Sequence, residues 1–111
     1  MEFTERLKKN SDFQIVFKNG KSRANKYFVM YIRKNGLSVN RIGVSVSKKV
    51  GNSVVRHHIA RLLRESYRLH EEMFHSSWDI VIVARTTAKD ISYKEMESAV
   101  MHLANLQKIT Y

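Results

Sequence analysis

Five histidines and twenty lysines and arginines are the residues of this chain best suited to act on a phosphate, as acid–base catalysts or as counter-charge. The histidines make a poor catalytic set. His57 and His58 are adjacent, so on a helix they point about 100° apart and cannot work as a pair on one phosphate. His70, His75 and His102 lack the spacing with acids that zinc sites use, and Glu71 and Glu72 read as a solvated helix end. There is no cysteine, which excludes a disulfide framework and a cysteine-ligated zinc site. The expectation is no catalytic side chain and no metal site in the protein. A second histidine brought near by folding would instead make an autonomous histidine ribonuclease.

The cations are better organised. "SKKVGNSVVRHHIARLLRES", Ser47 to Ser66, carries Lys48, Lys49, Arg56, Arg61 and Arg64, Arg68 follows closely, and Glu65 is the single acidic residue among them. Advancing about 100° per residue, Val55, Ile59, Leu62, Leu63, Ser66, Leu69, His70 and Met73 fall on one side of a helix, which is then its buried face. His57, Arg61, Arg64 and Arg68 fall almost opposite, flanked by Arg56 and Ala60, and form a cationic ridge. Exposed helices usually interleave acids and bases at four-residue spacing, yet Arg56 and Arg64 have no acidic residue four positions away. Phosphates would supply that counter-charge, and the planar fork of arginine suits them. Lys48, Lys49 and Gly51 precede the helix N-terminus, whose free N–H groups favour an anion, although Gly51 taken alone is equally well a turn residue. The spacing of a nucleotide P-loop is missing.

The whole chain repeats this bias. Formal net charge is +10, but no Asp or Glu occurs from Phe13 to Arg64 while twelve Lys and Arg do, and the remainder holds eight basic and ten acidic residues. Such concentrated self-repulsion points to a polyanionic partner, nucleic acid ahead of an anionic membrane surface. At 111 residues and 43% apolar, the chain is expected to be one domain, residues 1–111, with a real core. Its start lacks an apolar signal region, and its apolar runs, Tyr27 to Ile32 and Ile80 to Ala84, are too short to span a bilayer, so a soluble cytoplasmic protein is expected.

The elements that must position these residues follow from capping and periodicity. Ser11 with Gln14 reads as a capping box opening a helix from Asp12 to Lys18, and Asn19 and Gly20 read as its stop. "KYFVMYIRK" and "RIGVSVS" read as strands joined by a hairpin loop, "KNGLSVN". Asn52 or Ser53 caps a long helix reaching about Phe74, since the stretch contains neither Gly nor Pro. "WDIVIVA" is a buried strand, and Ser92 with Glu95 opens a closing helix whose apolar stripe is Met96, Val100, Leu103 and Leu106. The order is α-β-β-α-β-α. Phe13 and Phe17 sit four apart on the first helix, and Tyr27 and Tyr31 share one strand face. Exposed, these rings would stack on unpaired bases; buried, they are core, which spacing alone favours.

At this point "SVSKKVGNSVVRHHIARLLRE" resembles the signature of the bacterial ribonuclease P protein subunit. "SDFQIVFKNGKSRANKYFVMY" and "DIVIVARTTAKDISYKEMESAVMHL" are similar to the first helix and strand and the closing strand and helix of that family, so the resemblance covers nearly the whole chain. It implies an α/β (α+β) two-layer sandwich with a left-handed β-α-β crossover, against the usual right-handed rule. It also implies a function. A catalytic RNA would cleave precursor tRNA to make the mature 5′ end with Mg2+ held mainly by that RNA and none firmly by the protein, while the protein contacts the RNA and the 5′ leader. By this resemblance the helix carries RNA-subunit contacts at Arg56, His57, His58, Arg61 and Arg64, which the ridge extends to Arg68 and the preceding turn to Lys48 and Lys49. The cleft between first helix and sheet, with Phe13, Phe17 and Tyr31, would hold the single-stranded leader. Neither a membrane nor a protein partner is implied. The family's usual Arg-Asn-Arg triplet reads Arg56, His57, His58 here, and a usual Lys or Arg is Ala60. The alternative reading is a general RNA-binding or ribosome-associated protein using the same basic helix.

Overall fold

The computed structural model describes residues 3–111. Its elements run β1 (Thr4–Arg6), α1 (Asn10–Asn19), β2 (Lys21–Ala24), β3 (Phe28–Lys34), β4 (Asn40–Val46), α2 (Ser53–Leu69), β5 (Trp78–Ala84) and α3 (Tyr93–Leu106). The five strands form one sheet in the order β1-β4-β5-β3-β2. Helices α2 and α3 cover one face, burying Ile59, Leu63 and Tyr67 from α2 and Met96, Val100 and Leu103 from α3 against Phe28, Met30, Ile42, Ile80 and Ile82. Helix α1 covers part of the other face through Val16, which packs with Leu7 and Val81. This is the expected mixed α/β sandwich, with the expected elements in the expected order. β4 and β5 are adjacent, parallel and joined through α2, the crossover that the resemblance implies.

Several local expectations are corrected. Strands β1 and β2 lie at the two edges of the sheet and were not anticipated, because three or four residues are too few to show an alternating pattern. "KNGLSVN" is not a hairpin loop: β3 and β4 do not pair, and β5 lies between them, antiparallel to β3 and parallel to β4. The unbroken apolar run Ile80 to Val83 explains why, since a strand covered on both faces belongs in the middle of a sheet. The loop is pinned to this central strand instead, with Asn35 N–H donating to the Ser77 carbonyl at 2.9 Å and Asn40 Oδ1 accepting from Trp78 N–H at 2.8 Å.

The Ser11 capping box does not form. Lys9 occupies the N-cap of α1 without a side-chain bond, its carbonyl receiving Asp12 N–H at 3.0 Å, and Asp12 supplies the negative charge of the first turn. The stop at Asn19 and Gly20 holds. Helix α2 ends at Leu69, short of Phe74, and a separate 3-10 turn covers Glu71–Met73. Leu69 and Met73, expected in the core, are 55% and 46% exposed, while Tyr67 is fully buried on the face that they were meant to fill. Its hydroxyl bonds Thr4 Oγ1 at 2.8 Å and accepts from Asn40 Nδ2 at 3.3 Å, so a ring with a polar tip ties α2 to β1 and β4. In α3 the Ser92–Glu95 box forms, Ser92 Oγ accepting from Glu95 N–H at 3.2 Å, but Leu106 lies outside the core and Ala99 and Ala104 complete the stripe.

Candidate nucleic-acid interface

Two surfaces hold the residues that the sequence singles out. The first is the outer face of α2. Asn52 starts this helix, its Oδ1 accepting from Val55 N–H at 3.0 Å, and Gly51 is required for close approach: a Cβ there would lie 2.8 Å from Val55 Cγ1. Lys48 and Lys49 occupy the middle of a turn closed by Val50 N–H on the Ser47 carbonyl at 3.1 Å. Val50 is buried, so the core anchors the turn and leaves both lysines exposed beside the helix start. With Ile59, Leu63, Ser66 and Tyr67 buried, His57, His58 and Arg61 are exposed, while Arg56 and Arg64 are half-buried. Among the described residues none of Lys48, Lys49, Arg56, His57, His58, Arg61 and Arg64 has an ion pair.

Arg68 differs from the rest of the ridge. Glu65, four residues beyond Arg61, turns to Arg68 instead and accepts both a 3.0 Å bond from Nε and a shorter one from Nη2. That hydrogen bonding holds Glu65 below the usual carboxylate value and raises Arg68 above its own. Arg64 moves the other way: burial of the guanidinium, and then the charge of Arg6, lower its affinity for the proton. Arg6 joins this edge from β1, an assignment invisible in the sequence because it depends on β1 pairing with β4.

The second surface is the cleft between α1 and the sheet. Phe13 and Phe17 lie 6.3 Å apart by ring centroid, and Phe17 meets Tyr31 of β3 edge-on at 5.0 Å. All three are half-buried around the small cluster of Leu7, Val16 and Val81, so they are wall as well as surface. Phe13 lies directly over β4: a Cβ at Gly43 would come within 2.7 Å of its ring. Lys8, Asn10, Phe13, Phe17, Val44 and Ser45 line a shallow cavity of about 260 Å³. Tyr27 does not share a face with Tyr31. Asn25 Oδ1 accepts from the N–H of Tyr27 and of Phe28, at 3.1 and 3.0 Å, which turns the chain just before β3 and sends the Tyr27 hydroxyl to Glu95 of α3.

Not every cation of the acid-free stretch is available. Arg41 donates to Asp79 from Nε at 2.8 Å and Nη2 at 2.7 Å, and lies 3.4 Å from Asp12, while Arg33 lies 3.8 Å from Asp79. These bonds raise Arg41 above its ordinary value. The remaining histidines are engaged elsewhere: His70 with the Ser66 carbonyl and Glu97, His75 against the Tyr111 ring, His102 with Asn25. Among the described residues, no group of three or more His, Asp or Glu is placed to hold a metal ion, and no helix is long and apolar enough to cross a membrane. The arrangement can hold a polyanion along α2 and stack bases over α1.

Comparison with known proteins identifies a family. The family described as Ribonuclease P matches residues 1–108. The chain belongs to this ribonuclease P protein family. The ribonuclease P protein component of Lachnoclostridium phytofermentans is 62% identical over 106 residues, 96% of this chain and 91% of that protein. Among solved structures, the ribonuclease P protein of Staphylococcus aureus superposes with a TM-score of 0.89 at 38% identity, covering 96% of this chain and 97% of that one. The Thermotoga maritima ribonuclease P protein gives 0.85 at 31%, covering 92% and 96%. Element order and crossover in this chain are consistent with those structures.

Proposed function

We propose that this chain is the non-catalytic protein subunit of a ribonuclease P holoenzyme, binding the catalytic RNA through α2 and the 5′ leader of precursor tRNA through the α1 cleft. The observation that carries the reading is the cationic face of α2, free of ion pairs from Lys48 to Arg64 among the described residues, on one side of the sheet, with a cleft walled by three half-buried rings on the other. Lys48, Lys49, Arg56, His57, His58, Arg61, Arg64 and Arg68 would lie against the phosphates of the RNA subunit, releasing counterions on assembly and making affinity fall with salt. Phe13, Phe17 and Tyr31 would offer edges and partial faces to successive leader bases, a contact tolerant of sequence. In this reading hydrolysis belongs to the RNA and to the Mg2+ that it holds. The protein contributes charge neutralisation and positioning of the leader.

The test is cleavage of a precursor tRNA carrying a 5′ leader by a bacterial ribonuclease P RNA at low magnesium, with and without this protein. Restored cleavage at the mature 5′ end is expected. Binding of RNA without rescue would favour a general RNA-binding protein of the same fold. Cleavage by the protein alone, abolished by a histidine substitution, would favour an autonomous ribonuclease.

A further inference from the structure

We propose that Arg6 of β1 and Arg64 of α2 together form a phosphate site for the RNA subunit, extending the α2 ridge around the edge of the sheet; the inference rests on the function proposed above. The geometry is set by three contacts. Thr4 pairs in register with Asn40 and Arg6 with Ile42, and Thr4 Oγ1 bonds the Tyr67 hydroxyl of α2 at 2.8 Å. Alternation along a strand puts Arg6 on the same side as Thr4, toward α2, and the next residue, Leu7, confirms the phase by burying itself under α1 on the opposite side. Arg64 stands three residues before Tyr67, one helical turn along the same face.

Two guanidinium groups therefore converge at one edge, one exposed and one half-buried. Neither has an ion pair among the described residues. Glu5, the acid nearest in sequence, pairs in register with Arg41 and so faces the other side of the sheet. The charge of Arg6 is felt at Arg64 as repulsion, which a protein tolerates where an anion relieves it. A backbone phosphate fits, since it accepts from two forks at once and carries the charge that both lack. Position commits the site to the RNA subunit: Arg64 belongs to the ridge, whereas the leader cleft opens on the opposite face of the sheet, under α1.

The experiment measures binding of ribonuclease P RNA, across a salt series, to wild type, Arg61→Ala, Arg6→Ala, Arg64→Met and the Arg6→Ala, Arg64→Met double variant; methionine keeps the packing of the Arg64 stem. Arg6→Ala and Arg64→Met are each expected to weaken binding about tenfold and to reduce the salt slope by about 1. The double variant should lose less than the product of the two, because both side chains serve one phosphate. Relief of repulsion should leave the melting temperature of free Arg6→Ala at or above that of wild type. Wild-type affinity and salt slope in Arg6→Ala would overturn the site while leaving the functional reading intact if Arg61→Ala still weakens binding. Strictly multiplicative losses would overturn the shared phosphate. Unchanged assembly with a raised KM for precursor tRNA in the holoenzyme would move Arg6 to the leader and overturn the assignment to the RNA subunit. No binding of the RNA by wild type would instead sink the functional reading itself.

Discussion

Arg41 and Arg61 belong to the same acid-free stretch, and the fold gives them opposite fates. Arg41 lies on β4 in register with Asp79 of the central strand, which also stands opposite Arg33 of β3, so one aspartate serves arginines on both neighbouring strands. Asp79 is only 1% exposed and its carboxylate also accepts from Asn35 Nδ2 at 3.0 Å. Arg61 lies exposed on the solvent side of α2, and Glu65, four residues on, is turned to Arg68. A run of like charge in sequence is therefore not a patch of like charge in space. The sheet neutralises Arg33 and Arg41 because strands distant in sequence lie side by side. The cations of α2 ahead of Arg68 stay available to a partner.

That contrast can be broken from either side. Removing the buried acid should have the largest effect: Asp79→Ala takes from Arg41 its two short bonds, leaving only the 3.4 Å contact with Asp12, and from Asn35 Nδ2 one of its two acceptors, and is expected to lower stability by about 3 kcal/mol, read by urea unfolding. RNA affinity of the folded fraction should not change. Phe17→Ala should come next, weakening precursor binding by about 1 to 3 kcal/mol if one base stacks there, with assembly on the RNA subunit intact. An unfolded Phe17→Ala protein would show that the ring is core alone. Arg61→Ala should leave thermal stability near that of wild type and weaken holoenzyme assembly about tenfold, with a salt slope smaller by about 1. Loss of stability without loss of affinity would erase the distinction between Arg41 and Arg61.

The smallest effect sharpens the ridge itself. His57 and His58 are exposed on it. A permanent guanidinium at position 58 would add positive charge facing the RNA, so the His57→Asn, His58→Arg variant should bind the RNA subunit about twofold more tightly, with a slightly steeper salt slope. Equal affinity and salt slope in the two proteins would end the idea.

Much of this was legible before folding. The Asn52 cap, the Ser92–Glu95 box, the central "WDIVIVA" strand and the exposed face of α2 all follow from interactions within a few residues, which spacing records directly. The misses share one cause, dependence on distant partners. Tyr67 is core because Thr4 and Asn40 reach its hydroxyl, Leu69 is exposed because α2 stops early, and Tyr27 leaves the Tyr31 face because Asn25 turns the chain ahead of β3.

The sequence by itself determined the class of partner and the element proposed to meet it, since net charge, the spacing of arginines on a helix and the family signature need no tertiary contact to be read. Tertiary structure alone decided which arginines remain free, where the three rings meet, and that Arg6 stands beside Arg64. Each of these depends on strand order and register, and placing β5 between β3 and β4 is a choice made by long-range burial that local periodicity does not encode.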